Sequence, residues 1–198
     1  MQQIVLATGN AGKVKEFAHL LADTPFEVVP QSQFNVSDAV EDGTTFVENA
    51  IIKARHAAKI TGLPAIADDS GIEVDALNGQ PGIHSARFAG EHGNAEANLQ
   101  KLLQVMQGEP QRSARFQCVL VFMRHGDDPS PVIAQASWEG TIAEAKSGDG
   151  GHGYDPIFTV GGNTRSAAEL SDDEKNAVSH RGKALKLLLA NLKERGIL

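Results

Sequence analysis

The chain opens on an apolar strand that runs directly into a glycine loop and then a helix, and this order narrows the fold more than any other stretch. Residues 3–7 read as a buried strand, Thr8-Gly9-Asn10-Ala11-Gly12-Lys13 follows, and Val14, Phe17, Ala18, Leu20 and Leu21 recur at the spacing of a helix facing a core. The helix ends near Asp23-Thr24-Pro25, and FEVVP reads as a second strand. A polar stretch with Asp38, Glu41 and Asp42 leads to Thr45 and Glu48, a capping-box pattern that opens a second helix, apolar at Phe46, Ala50, Ala54 and Ala57 and closed by Gly62. Strand, helix, strand, helix implies α/β layers.

The next apolar strand, within LPAIADDSGIEVDAL, ends in two carboxylates, turns at Ser70-Gly71 and resumes with Ile72, Val74 and Ala76 alternating against Glu73 and Asp75. Asn94 caps a helix carrying Leu99, Leu102, Leu103 and Met106. Residues 113–124 alternate as a long strand, residues 132–138 form another, and Gly140 to Ala145 is a short extended piece. The glycine-dense SGDGGHGYDPIF precedes a capped helical region with Leu185, Leu188, Leu189 and Leu192 on one face. Gly182 inside that region disfavours a single helix and points to a break near Ser179.

At 198 residues and 41% hydrophobic, the chain can bury a core as one domain or as two closely fused lobes. With no internal repeat or low-complexity linker, residues 1–198 are treated as a single domain. No run approaches ~18 apolar residues, and no basic segment with an apolar signal core opens the chain, so a soluble cytoplasmic protein without a membrane partner is expected. The single Cys118 fits that compartment and excludes an intramolecular disulfide. A net charge of -7 with interleaved signs argues against nucleic acid as a partner, so any phosphate chemistry must be local.

Five stretches could carry such chemistry. Gly9 and Gly12 allow close backbone approach, the following helix N-terminus offers N–H groups, and Lys13 adds a full charge. The loop is neither a Walker A motif nor G-x-G-x-x-G, and alone it is equally compatible with an ordinary strand-to-helix turn. Asp68 and Asp69, adjacent at a strand end, repel one another unless a cation or partner is present; the plain alternative is an Asp turn. Glu41 and Asp42 by themselves read as solvated loop charges. Four glycines from Gly148 to Gly153 imply either a flexible loop or unusual backbone angles with close packing, with His152 and Tyr154 as candidate stacking rings. His180 and Arg181 could donate to a base edge, although surface charges are the commoner meaning of either alone.

Taken in order, LATGNAGKVKEF, EDGTTFVENAIIKAR, PAIADDSGIEVDAL, GQPGIHSARF, GGHGYDPIF and AELSDDEKNAVSHRGKAL resemble the inosine triphosphate pyrophosphatase family over essentially the whole chain, and within it the bacterial dITP/XTP pyrophosphatases. The resemblance implies two α/β lobes around a long, bent, mixed sheet flanked by helices, a nucleotide cleft between the lobes and a homodimer. It implies hydrolysis of non-standard purine nucleoside triphosphates between the α- and β-phosphates, with Mg²⁺ held by Glu41 and Asp69. Asp69 would also accept the proton of the attacking water. Thr8, Gly9, Asn10, Ala11, Gly12 and Lys13 would hold phosphates, Ser70 would contact substrate, and His152, Gly153, Tyr154, Asp155, Lys175, His180 and Arg181 would enclose the nucleotide. Lys53, one turn after Asn49, is a further phosphate candidate. Where the family pattern commonly has Phe, this chain has His152, a smaller and more polar ring. A nucleotide sensor without turnover would need the phosphate loop but not the pair Glu41 and Asp69.

Overall fold

The computed structural model describes residues 2–161 and 164–198. Among them, six strands form a mixed sheet in the order β2-β1-β3-β4-β5-β6, flanked by helices. The strands are β1 Gln2–Leu6, β2 Phe26–Pro30, β3 Ala65–Val74, β4 Ser113–Met123, β5 Val132–Ile142 and β6 Phe158–Val160. The helices are α1 Ala11–Leu20, α2 Phe46–Thr61, α3 Ala95–Val105, α4 Asp172–Val178 and α5 His180–Glu194. β1 pairs in parallel with β2, Val5 opposite Val29, and with β3, Leu6 opposite Ile66. The half of β1 that lies between its neighbours is apolar, Ile4, Val5 and Leu6 all being buried, while Gln2 and Gln3 are exposed. No helix among the described residues is long and apolar enough to cross a membrane.

The chain groups into two compact units whose segments interleave. The first gathers Met1–Asp69, Cys118–Ala136 and Arg181–Leu198; the second gathers Ser70–Gln117 and Ser137–His180. In the first unit Ile4, Leu6, Phe17, Phe26, Phe122 and Leu188 share one core, with Phe26 and Phe122 rings 6.3 Å apart. In the second, the Phe158 ring meets Phe116 and Trp138 edge to face at 4.6 and 5.3 Å, joined by Leu102 from α3 and by Met106 just beyond its end. Each fully buried side chain of this size contributes roughly 1.5–3 kcal/mol of hydrophobic stabilisation.

Local signals account for the helix limits. Thr45 accepts the N–H of Glu48 at 3.2 Å, and Glu48 returns bonds to the N–H groups of Thr44 and Thr45, so the capping box that opens α2 is complete. Gly62 ends α2 at φ 69°, a left-handed angle that favours glycine. Asn94 caps α3 through the N–H of Ala97. The expected helix break falls at Ser179, extended at φ -68° and ψ 160°, which places Gly182 in the first turn of α5 instead of a helix interior.

Two expectations are corrected. β3 does not turn at Ser70-Gly71 but runs unbroken through both residues, because Gly71 is buried in the strand and Ile72 N–H finds a partner in the Ser85 hydroxyl at 2.9 Å. β5 does not stop at Trp138: it continues to Ile142, antiparallel to β6 with Thr141 opposite Thr159. Gly140 permits this, since a Cβ there would lie 2.3 Å from the Thr159 carbonyl oxygen.

Candidate active site

The loop after β1 closes on its own side chains. Asn10, extended at φ -84°, accepts the N–H groups of Gly12 at 2.9 Å and Lys13 at 3.1 Å, and its own N–H donates to Thr8 Oγ1 at 3.1 Å. It is therefore a capped turn whose Gly12 and Lys13 N–H groups become available to an anion only when the Asn10 carboxamide yields them. What the turn fixes is Lys13, whose ammonium pairs with Asp68.

Asp68 lies at the centre of a charge-balanced quartet. Its side chain is wholly buried and accepts from Lys13 Nζ, from Arg181 Nε at 3.1 Å and from the Cys118 thiol at 3.2 Å. Arg181 also reaches Glu16 Oε2 at 2.6 Å. Burial pushes the Asp68 carboxyl upward, but Arg181 and Lys13 outweigh it and hold the group well below the usual carboxylate range. The Arg181 guanidinium, although penalised by burial, is raised by Asp68 and Glu16 and stays charged. Burial, with the Asp68 charge beside it, raises the Cys118 thiol well above its ordinary value, leaving an unreactive thiol.

Asp69 faces different partners, as alternation along a strand requires. Lys53 Nζ, on α2, donates to Asp69 Oδ1 at 2.7 Å and lies 3.0 Å from Glu41 Oε2. Burial raises the Asp69 carboxyl above the ordinary carboxylate value, with the Lys53 ammonium opposing, and the net shift is upward. Lys53 loses basicity to burial but gains more from Asp69, so it remains an ammonium. Glu41 reaches this point because its loop is pinned to α2: Gly43 N–H donates to the buried Asn49 carboxamide at 3.0 Å, and a Cβ at Gly43 would lie 2.7 Å from both Asn49 and Glu48. The two acids predicted to hold a metal thus converge on a single cation. No group of three or more His, Cys, Asp or Glu residues that could hold a metal occurs among the described residues. The pair nonetheless fits Mg²⁺, which binds through one or two carboxylates and completes its shell with water and substrate oxygens.

In the second unit the glycine-dense stretch is a tightly packed turn. Ser166 Oγ donates to the Ser147 carbonyl at 2.6 Å, Gly150 N–H to the Ala168 carbonyl at 3.2 Å, and a Cβ at Gly148 or Gly150 would lie 2.9 or 2.7 Å from the Ala168 backbone. Asp155 is buried and accepts the N–H of His152 at 2.6 Å and the Lys175 ammonium. A Cβ at Gly151, where φ is 74°, would lie 2.3 Å from the Asp155 carboxylate. Asp155 therefore organises the turn and aims Lys175. Tyr154 is core, its hydroxyl donating to the Ser85 carbonyl at 2.7 Å, whereas His152 is exposed. His180 is buried, with its ring stacked on Phe116 at 4.8 Å and 12°. Ser70 follows Asp69 in β3 and is half-buried.

Within the first unit the structure joins Lys13 and Arg181 through Asp68, and Glu41 and Asp69 through Lys53; within the second it joins His152 and Lys175 through Asp155. Sequence reasoning did not foresee Glu16 as the fourth member of the Asp68 quartet, nor the Cys118 thiol as a further donor to Asp68. Glu16 is 165 residues from Arg181, and neither residue carried a pattern that could have revealed it. Lys53 was read as a phosphate contact, and its bridge between Glu41 and Asp69 was not foreseen.

An α/β fold whose first unit holds Lys13 on Asp68 and Lys53 on Glu41 and Asp69 defines a protein suited to polyphosphate chemistry. The Ham1 family model matches residues 4–191. The chain is 61% identical over 198 residues to the dITP/XTP pyrophosphatase of Shewanella oneidensis, covering 100% of this chain and 97% of that one. It is 57% identical over 195 residues to the dITP/XTP pyrophosphatase of Escherichia coli O157:H7, covering 98% and 99%. The solved structure of a HAM1 protein from Coxiella burnetii shares the fold with a TM-score of 0.91 at 50% identity, covering 98% of this chain and 100% of that one. The chain belongs to the Ham1 family.

Proposed function

We propose that this chain hydrolyses non-standard purine nucleoside triphosphates, dITP, ITP, XTP and dXTP, at the α–β bond to a nucleoside monophosphate and pyrophosphate. It is a nucleoside triphosphate pyrophosphatase that clears these nucleotides from the precursor pool. The supports are the family, the dITP/XTP pyrophosphatase relatives and one geometric observation that carries the chemistry: Glu41 and Asp69 converge on one cation, while the adjacent Asp68 holds Lys13.

Asp69, kept basic by burial, orients and deprotonates the attacking water. Lys13 and Lys53 neutralise charge on the polyphosphate and on the departing pyrophosphate, and the Asp68 quartet keeps Lys13 in place; the work is positioning and electrostatics without a covalent enzyme intermediate. Mg²⁺, when bound by Glu41 and Asp69, supplies charge neutralisation at the phosphates. Arg181, committed to Asp68 and Glu16, acts as a positioning group. Lys175, aimed by Asp155, and backbone N–H groups are then the donors to the 6-oxo edge of the base, where ATP would present an amino group; a site built on such bonds discriminates by ~10⁴ or more when a buried group goes unpaired. His152 is the stacking ring. The working enzyme is taken to be a cytoplasmic homodimer, as the resemblance implies.

The test is a panel of ITP, dITP, XTP, ATP, GTP and dUTP with Mg²⁺, reading pyrophosphate against orthophosphate. Inosine and xanthine nucleotides should release pyrophosphate, and Asp69→Asn should keep nucleotide binding while losing about 10³-fold or more in turnover. Orthophosphate as the sole product would mean that a different bond is cleaved, and undiminished turnover in Asp69→Asn would remove that residue from its role.

A further inference from the structure

We infer that in the nucleotide-free protein the Lys53 ammonium holds the position that a divalent ion would take, so that the metal enters together with the nucleotide and not before it. This rests on the reading of Glu41 and Asp69 as the metal-holding pair. Lys53 Nζ lies 2.7 Å from Asp69 Oδ1 and 3.0 Å from Glu41 Oε2, so one ammonium bridges both acids. Mg²⁺ binds carboxylate oxygens at about 2.0–2.1 Å. An ion using the same two oxygens would fall inside the contact distance of the bridging ammonium, and two cations there also repel one another. The two therefore exclude each other.

Three features make the exchange a side-chain event. Glu41 is fixed to α2 through Gly43 and the buried Asn49, and Lys53 stands one turn further along the same helix, so neither backbone needs to move. The lysine stem is flexible, and its ammonium donates wherever a negatively charged acceptor is offered. Charge also favours the exchange: one lysine leaves the Glu41 and Asp69 pair with one uncompensated negative charge, and a metal–nucleotide complex brings a divalent cation for the acids together with phosphate oxygens for the displaced ammonium. Lys13 differs, because it pairs with Asp68, whose side chain is wholly buried and already shared with Arg181.

The probe is Mn²⁺, with free ion counted by electron paramagnetic resonance in the nucleotide-free protein. Wild-type protein should bind Mn²⁺ weakly, Lys53→Met should bind it at least about tenfold more tightly, and Lys53→Arg, which restores a cation, should return to weak binding. Wild-type protein should take up Mn²⁺ once the non-hydrolysable α,β-methylene analogue of ITP is added. Equal Mn²⁺ affinity in wild type and Lys53→Met, or tight binding by wild type without nucleotide, overturns the inference. If Lys53→Met does not fold by circular dichroism, Lys53→Gln replaces it and is judged by the same outcomes. The double variant Lys53→Met with Glu41→Gln should lose the gain; if it keeps the gain, Glu41 is not a metal ligand and the metal-pair reading itself fails, a result separate from the first.

Discussion

The two units carry their candidate residues by opposite means. In the first, side chains from distant segments are held by charge: Asp68 gathers Lys13 and Arg181, Arg181 adds Glu16, and Lys53 spans Glu41 and Asp69. In the second, a short turn is held by backbone packing, with glycines where no Cβ fits and one buried carboxylate, Asp155, as its internal anchor. The difference teaches where each is vulnerable. A charge cluster tolerates changes of shape but not loss of a charge, because the partner left behind is buried and uncompensated. A packed turn tolerates changes of charge at its rim but not one added methyl group at its centre.

The largest effect expected from this contrast is at Asp68. Asp68→Asn preserves the outline of the side chain but removes the charge shared by Lys13 and Arg181, and should lower stability by about 3–5 kcal/mol in denaturant unfolding. A loss below about 1 kcal/mol would mean that Glu16 alone can balance both cations, and the cluster would then be less interdependent than its contacts suggest. Next comes Gly151→Ala. The new Cβ would meet Asp155 at a left-handed φ, so a cost of about 2–4 kcal/mol is expected. The variant should also raise KM for ITP far more than it lowers kcat, since Lys175 and His152 lose their shared anchor. A variant as stable as wild type would show that the turn is soft after all.

The same contrast explains what could be read in the sequence. Signals confined to a few residues were legible: the Thr45 and Glu48 box, the Asn94 cap, the helix break at Ser179 and the apolar strand leading to Asp68 and Asp69 all appear where the pattern placed them. The charge cluster was legible only as separate residues, since the pairing of Glu16 with Arg181 or of Glu41 with Lys53 is made by the tertiary fold and leaves no spacing to detect. The glycine turn was legible as a choice between flexibility and close packing, and the packing partner, the backbone at Ala168, decides it. The supposed turn at Ser70-Gly71 failed for a related reason: glycine is read as punctuation, yet Gly71 is buried inside β3.

The smallest expected effect probes the rim of the packed turn. His152 contributes its backbone N–H to Asp155, and any residue but proline retains that bond; its side chain is exposed. His152→Phe should therefore leave unfolding within about 0.5 kcal/mol of wild type. Its effect belongs to ligand binding alone: a larger apolar ring stacks on a purine at least as well as imidazole does, so affinity for ITP should hold or tighten while kcat changes little. Isothermal titration with the α,β-methylene analogue of ITP reads the affinity, and thermal unfolding of the same sample reads the fold. Unchanged unfolding with collapsed affinity would assign the imidazole a polar contact with the base in place of stacking. Lost stability would place the ring within the packing of the turn, and the division between a rigid centre and a permissive rim would have to be redrawn.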